Sequence, residues 1–209
     1  MSMRGLALEE FTEALASADA TPGGGSASAL AGALAASLVA MVARNTAANP
    51  SFTDYVAALE DIASEADRLR RELVGLVDED AAAFERVMAA FRLPKETTEL
   101  KETRSREIQA GYKGAVEPPL LVCRRALGVL ALAGRTAELG SPNALSDVGV
   151  AALLASSALE GAALNVEINL GSIKDETFRD EGRKDVQTAR SEGEKLRDEA
   201  LETVDARLG

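Results

Sequence analysis

From Leu59 onward, apolar side chains recur at three- and four-residue steps: Leu59, Ile62, Ala66, Leu69, Leu73 and Leu76, then Phe84, Val87 and Phe91. Such a pattern describes a long helix with one buried face. The rest of the chain agrees, with no Trp, five Phe and two Tyr. β-Branched runs are nearly absent, while Ala, Leu, Glu and Arg dominate, which favours helix over strand. Spacing and breaks predict six helical regions, at about 6–18, 22–44, 53–91, 96–138, 146–170 and 175–208. "NTAANPS", "RLPKE" and "LGSPN" are the clearest breaks. Pro118 and Pro119 predict a kink or restart inside the fourth region. The loops are short, so neighbouring helices are expected to be antiparallel. There is no internal repeat or linker, so residues 1–209 are read as one all-α, multi-helical bundle. An Ala-rich core gains from close packing and from burying a face on a second subunit, so a dimer is expected.

The formal charge is −11 and the pI near 4.6, which argues against a nucleic-acid partner. A small anionic ligand is still allowed, because local donors bind it. The chain has no histidine. That removes the commonest general base, the His-dependent triads and most zinc sites. The lone Cys123 cannot form an intrachain disulfide and suits a reducing compartment. Lying among large apolar residues in "PLLVCRRALGVL", it is read as structural. "MSMRGLALEEF" lacks the apolar core of a secretory signal, so a cytoplasmic location is expected.

Residues 23–43 carry no charge and are long enough to span a bilayer. Most are Gly, Ala or Ser, which contribute little transfer energy. The large ones, Leu30, Leu34, Leu38, Met41 and Val42, fall on one helix face, and no aromatic belt or second comparable span accompanies them. A buried helix is expected, and no membrane partner. At its start, Pro22 suits a helix beginning. Gly23, Gly24 and Gly25 permit positive φ and leave the backbone bare. With Ser26 they form either a cradle for a carboxylate or polar ring at a helix N-terminus, or a tight turn packed under another helix.

Asp80 occupies the stripe position between Leu76 and Phe84, whereas Asp78 and Glu79 point elsewhere and are expected to be solvated. A carboxylate on an apolar face needs a partner. It is an acid–base group or a cation-binding group, or else a buried ion pair or a cap to another helix. In the fifth region Asp147, Ala151, Leu154, Ala158, Gly161, Asn165 and Asn169 share one face. Asn165 and Asn169 are one turn apart and can act on one ligand or bond a neighbouring helix. Asp147 lies roughly 27 Å from Asn165 along a straight helix, so a long ligand, a bend or a dimer interface is needed to unite them. Asp147 is equally an ordinary first-turn acid, and Asn143 an ordinary turn residue. The segment 93–113 holds five bases and four acids. Lys95, Lys101, Arg104 or Arg106 there can meet an anionic tail, or the segment is a solvated face.

"TPGGGSASALAGALAASLVAMV", "DEDAAAFERVMAAFRLPK", "PLLVCRRALGVL" and "SPNALSDVGVAALLASSALEGAALNVEINL" occur in that order. Together they resemble the cyclodeaminase/cyclohydrolase family, which includes the C-terminal half of formiminotransferase-cyclodeaminase and stand-alone methenyltetrahydrofolate cyclohydrolases. The resemblance runs from about residue 6 to 175 and includes no transferase portion. It implies an all-helical homodimer acting on a tetrahydrofolate that carries a one-carbon unit, with or without a polyglutamate tail. The reaction is closure of 5-formiminotetrahydrofolate to 5,10-methenyltetrahydrofolate with loss of ammonia, hydrolysis of the methenyl compound to 10-formyltetrahydrofolate, or both. Neither needs a metal or a cofactor beyond the folate substrate. In that frame Asp80 is the first catalytic candidate and Asp147 the second. Asn165, Asn169 and Asn143 are candidates for the pterin or one-carbon centre, Gly23, Gly24, Gly25 and Ser26 for the pterin or the glutamate carboxylate, and Lys95 for the anionic tail. A non-catalytic folate binder and a purely structural helical dimer are the alternatives.

Overall fold

A computed structural model describes residues 2–208. Its six α-helices are α1 (Leu8–Ala16), α2 (Gly24–Ala47), α3 (Val56–Phe91), α4 (Thr98–Leu139), α5 (Leu145–Leu170) and α6 (Glu176–Leu208). Short 3₁₀ turns lie at Met3–Gly5, Pro50–Tyr55 and Pro142–Ala144, and no strand occurs among the described residues. The expected all-α class holds, and five of the six helices are long.

Helix α2 lies against α3 and α5 and also touches α4, while α6 closes the bundle against α4 and α5. Contacts along α2–α3 and α2–α5 show antiparallel neighbours, whereas α4 and α6 run parallel, with Lys113 meeting Asp175 and Arg124 meeting Asp185. On α2, Gly25 meets Asp80 of α3 and Gly32 meets Leu73. Against α5, Gly24 meets Asn165 and Gly32 meets Ala158. A Cβ at Gly32 would come within 3.2 Å of Leu73, so this crossing is about as close as backbones can pack. Leu59, Ile62, Leu73, Leu130, Leu145 and Leu159 are fully buried in one core.

Both α2 and the segment Pro142–Leu170 are long and apolar enough to cross a membrane. The second corrects the reading that α2 has no comparable companion. Both are core helices here, packed on several sides.

Two further readings change. Helix α4 runs unbroken through Pro118 and Pro119, both buried. Asp78 is not simply solvated: it accepts hydrogen bonds from Ser2 Oγ (2.6 Å), Met3 N (2.6 Å) and Arg4 N (3.2 Å) and pairs with the Arg4 guanidinium. It thereby pins the N-terminal segment to α3. The charged helix α6 is pinned at its far end by Arg207. That side chain donates to the carbonyls of Ala137, Glu138 and Gly140, the open end of α4.

Candidate active site

The N-terminus of α2 points at Asp80. Gly23 is the N-cap, in extended conformation with φ −124° and ψ −160°. None of Gly23, Gly24 and Gly25 uses a left-handed φ, so backbone freedom does not explain them. Close approach does, because a Cβ on Gly25 would overlap Asp80 Oδ1. One on Gly24 would stand 3.4 Å from the Asn165 amide. The bare backbone lets a carboxylate from α3 reach the first turn of α2. There it accepts from the Ser26 hydroxyl at 3.0 Å and from the Ser26 backbone N–H. Asp80 therefore caps another helix and makes no ion pair among the described residues.

Burial pushes the Asp80 carboxyl above the usual carboxylate range, and the two Ser26 donors only partly offset this. With no cation to hold it ionised, Asp80 is poised to exchange a proton. Cys123 is raised further, to about 12, chiefly by burial. Its thiol sits against the Leu159 carbonyl and is inert in this environment.

The two asparagines of α5 face the same space; Asn169 has both amide N–H groups engaged, and Asn165 one of its two. Asn165 Nδ2 donates to Gly161 O (2.8 Å), and Asn169 Nδ2 donates to Ala115 O (2.9 Å) and Asn165 O (3.0 Å). The Ala115 bond explains the prolines of α4. A helical carbonyl is normally met by the N–H four residues on, and Pro119 has none. Pro118 likewise removes the tighter alternative three residues on. Asn169 supplies the missing donor, which fixes its amide and leaves Oδ1 free to accept.

These groups line one cavity of about 370 Å³, within the usual range for a small-molecule site. Gly23, Gly24, Gly25, Asp80, Asn165 and Asn169 make its polar part. Along α3 the lining passes from Asp80 through Phe84 to Phe91, roughly 16 Å of helix. Phe91 meets Tyr112 of α4 edge to face, with centroids 6.2 Å apart. The Arg104 guanidinium lies 5.4 Å above the Phe91 ring and donates twice to the Phe91 carbonyl. The sequence reading missed this aromatic wall. Phe84 and Phe91 were visible on the Asp80 stripe, but Tyr112 sits in a charged segment with no pattern to single it out.

The other candidates fall elsewhere. Ser26 is wholly buried beneath the cavity and touches Asp80 instead of lining the space. Lys95 is exposed in the α3–α4 turn, four residues past Phe91, with its backbone N–H on Glu96. Asn143 is exposed in the turn before α5, and Asp147 is half-buried in the first turn of α5. Neither lines the cavity, because α5 carries them to its opposite end. A larger open groove of about 550 Å³ lies near the C-terminal end of α2, with Arg44 and Asp67 in its wall. Those two side chains neutralise each other.

Fold and site define an all-α domain with a cavity built around one carboxylate that lacks a counter-cation among the described residues. The family model described as formiminotransferase-cyclodeaminase matches residues 7–188, and the chain belongs to that family. A methenyltetrahydrofolate cyclohydrolase of Methylorubrum extorquens is 39% identical, over 96% of this chain and 97% of that protein. A formimidoyltransferase-cyclodeaminase of Gallus gallus is 34% identical over 83% of this chain, which spans 32% of that longer relative. The crystal structure of formiminotetrahydrofolate cyclodeaminase from Thermotoga maritima superposes with a TM-score of 0.87 at 29% identity, covering 97% of both chains.

Proposed function

We propose that this protein is a one-carbon tetrahydrofolate enzyme. It closes 5-formiminotetrahydrofolate to 5,10-methenyltetrahydrofolate with release of ammonia, hydrolyses 5,10-methenyltetrahydrofolate to 10-formyltetrahydrofolate, or does both. The observation that carries this reading is Asp80, a carboxylate with a raised pKa and no counter-cation, facing a cavity lined by helix-terminal amides and two fixed asparagines. The names of its relatives supply the substrate class.

In ring closure, N10 attacks the amidine carbon and loses its proton as ammonia departs. In hydrolysis, water attacks the methenyl carbon and the bond to N5 breaks. Each route passes through a tetrahedral carbon bonded to both ring nitrogens. Asp80 takes the proton from the attacking N10 or water and returns it to the leaving nitrogen. As an anion it also stabilises the cationic amidine or methenyl group. The free Asn165 and Asn169 Oδ1 atoms accept from the pterin N–H groups, and the Gly24 and Gly25 amides donate to it. Phe91 and Tyr112 flank the benzoyl ring on its way out, toward Lys95 and the solvent. No metal or cofactor beyond the folate enters the scheme. A largely desolvated carboxylate facing a cavity, with no counter-cation among the described residues, is a poor choice for a purely structural dimer.

We further propose a homodimer. Leu34 and Met41 on α2, with Val150, Leu153, Leu164 and Ile168 on α5, are exposed large apolar residues on two helices that pack together. Ile168 is 73% exposed. Such a patch on a small protein marks an interface. Antiparallel pairing of these faces about a two-fold axis would carry the Asp147 end of one protomer toward the cavity of the other. That pairing is the route by which Asp147 or Asn143 could serve a site. A reducing, cytoplasmic setting accords with the lone buried cysteine.

The test is to offer both folates to the purified protein and measure ammonia and 10-formyltetrahydrofolate separately. Turnover of at least one is expected, and turnover of neither would overturn the reading.

A further inference from the structure

Ser26 Oγ lies 3.0 Å from Asp80 Oδ2 and 3.0 Å from the Val77 carbonyl oxygen, one turn earlier on α3. It is wholly buried. A hydroxyl has one hydrogen to give, and a carbonyl and an ionised carboxylate both only accept. The hydroxyl cannot serve both at once, so its orientation depends on the proton of Asp80. When Asp80 is protonated, Oδ2–H donates to Ser26 Oγ and the hydroxyl donates to Val77, which satisfies both contacts. When Asp80 is ionised, the hydroxyl turns to Oδ2 and joins the Ser26 N–H there, while the Val77 carbonyl keeps its place in the helical ladder.

We propose that Ser26 is a positioning residue whose hydroxyl turns between the Val77 carbonyl and the Asp80 carboxylate as Asp80 loses and gains its proton. Each protonation state of the carboxylate then has its own complete set of hydrogen bonds. The surroundings leave this task to Ser26 alone. From α2 no charged residue precedes Arg44, far along the helix. From α5, Asn165 and Asn169 are neutral, and from α4 the only titratable group in the cavity wall is Tyr112. Among the described residues Asp80 has no ion pair to set its proton affinity. The two Ser26 donors are what oppose the effect of burial. A general acid–base group must be stable in both forms during one turnover, and a rotating hydroxyl achieves this with no heavy-atom movement.

The inference rests on the proposed function only in making Asp80 the acid–base group, so its test has an arm free of substrate. In the full chain, the Asp80 carboxyl is titrated by carbon-13 NMR without folate, in wild type, Ser26→Ala and Ser26→Cys. The midpoint is expected to move upward in both variants. The nearly isosteric Cys, a weak donor, should give the smaller shift and keep the core filled. With methenyltetrahydrofolate, the acidic limb of the kcat–pH profile should move the same way. In Ser26→Ala, kcat should fall roughly tenfold with KM nearly unchanged, as for loss of one hydrogen bond to a charged group. An unmoved NMR midpoint in both variants would overturn the inference. A moved midpoint in a protein that turns over neither folate would leave Ser26 in this role and remove the proposed function.

Discussion

Asp78 and Asp80 stand two residues apart on α3 and respond to burial in opposite ways. Burial pushes both upward. At Asp78 the Ser2 hydroxyl, the Met3 and Arg4 amides and the Arg4 guanidinium outweigh it and hold the carboxyl below its ordinary range. At Asp80 burial prevails. Linkage then gives opposite signs. Asp78 adds stability above the ordinary carboxylate pKa and loses it as pH falls through its depressed value. Asp80 holds its proton longer when folded, so stability declines as pH rises from the ordinary pKa through its raised value. Asp78→Asn is expected to cost about 1–2 kcal/mol at pH 7, a few degrees in Tm, with the loss fading in acid. Asp80→Asn should raise Tm at pH 7, with the gain vanishing below about pH 4. Thermal melts at both pH values check each sign, and a fall in Tm for Asp80→Asn at pH 7 would show that its capping of α2 outweighs its burial. Asp80 was legible in the sequence because it interrupts a regular apolar stripe. The partners of Asp78 were not, since they come from the N-terminal segment and no periodicity announces a contact across more than seventy residues.

Among the elements, all six helices lie within a few residues of where periodicity and punctuation put them. Helix α4 is the informative one, because it continues where a kink or restart was expected. Two adjacent prolines argue locally for a break, but tertiary bonding takes over one of the lost helical bonds, through Asn169 and the Ala115 carbonyl. This coupling can be measured. Asn169→Ala should cost about 1–3 kcal/mol by leaving that carbonyl unpaired. In a Pro119→Ala background the helix supplies its own N–H, so the same substitution should cost clearly less. A double-mutant cycle in urea reads the difference, and strict additivity would show that Pro119 and Asn169 act separately. The glycines of α2 teach a related lesson. Their number signalled a special helix start, but the reason is contact distance, which only the packed pair of helices displays.

At the scale of the whole molecule, the helical class and the Ala-rich, closely crossed core followed from composition and spacing. The cavity did not, because it is enclosed by parts of α2, α3, α4 and α5 that are distant in sequence. The exposed apolar face of α2 and α5 was half visible: the Leu34–Met41 side could be read as one helix face, but its continuation onto α5 depends on which helices are neighbours. Light scattering should give the mass of two chains for the wild-type protein. Leu153→Glu, a charge placed in the middle of that face, should give one, and an unchanged dimer would move the interface elsewhere. The claim that the cavity is the active site depends most directly on Asp80. The decisive measurement is the steady-state turnover of 5,10-methenyltetrahydrofolate and 5-formiminotetrahydrofolate by wild type and Asp80→Asn, with the helical content of both confirmed. A loss of at least about 100-fold in kcat, with KM little altered, is expected for removal of the general acid–base group. Near-normal turnover by a folded Asp80→Asn protein would contradict it.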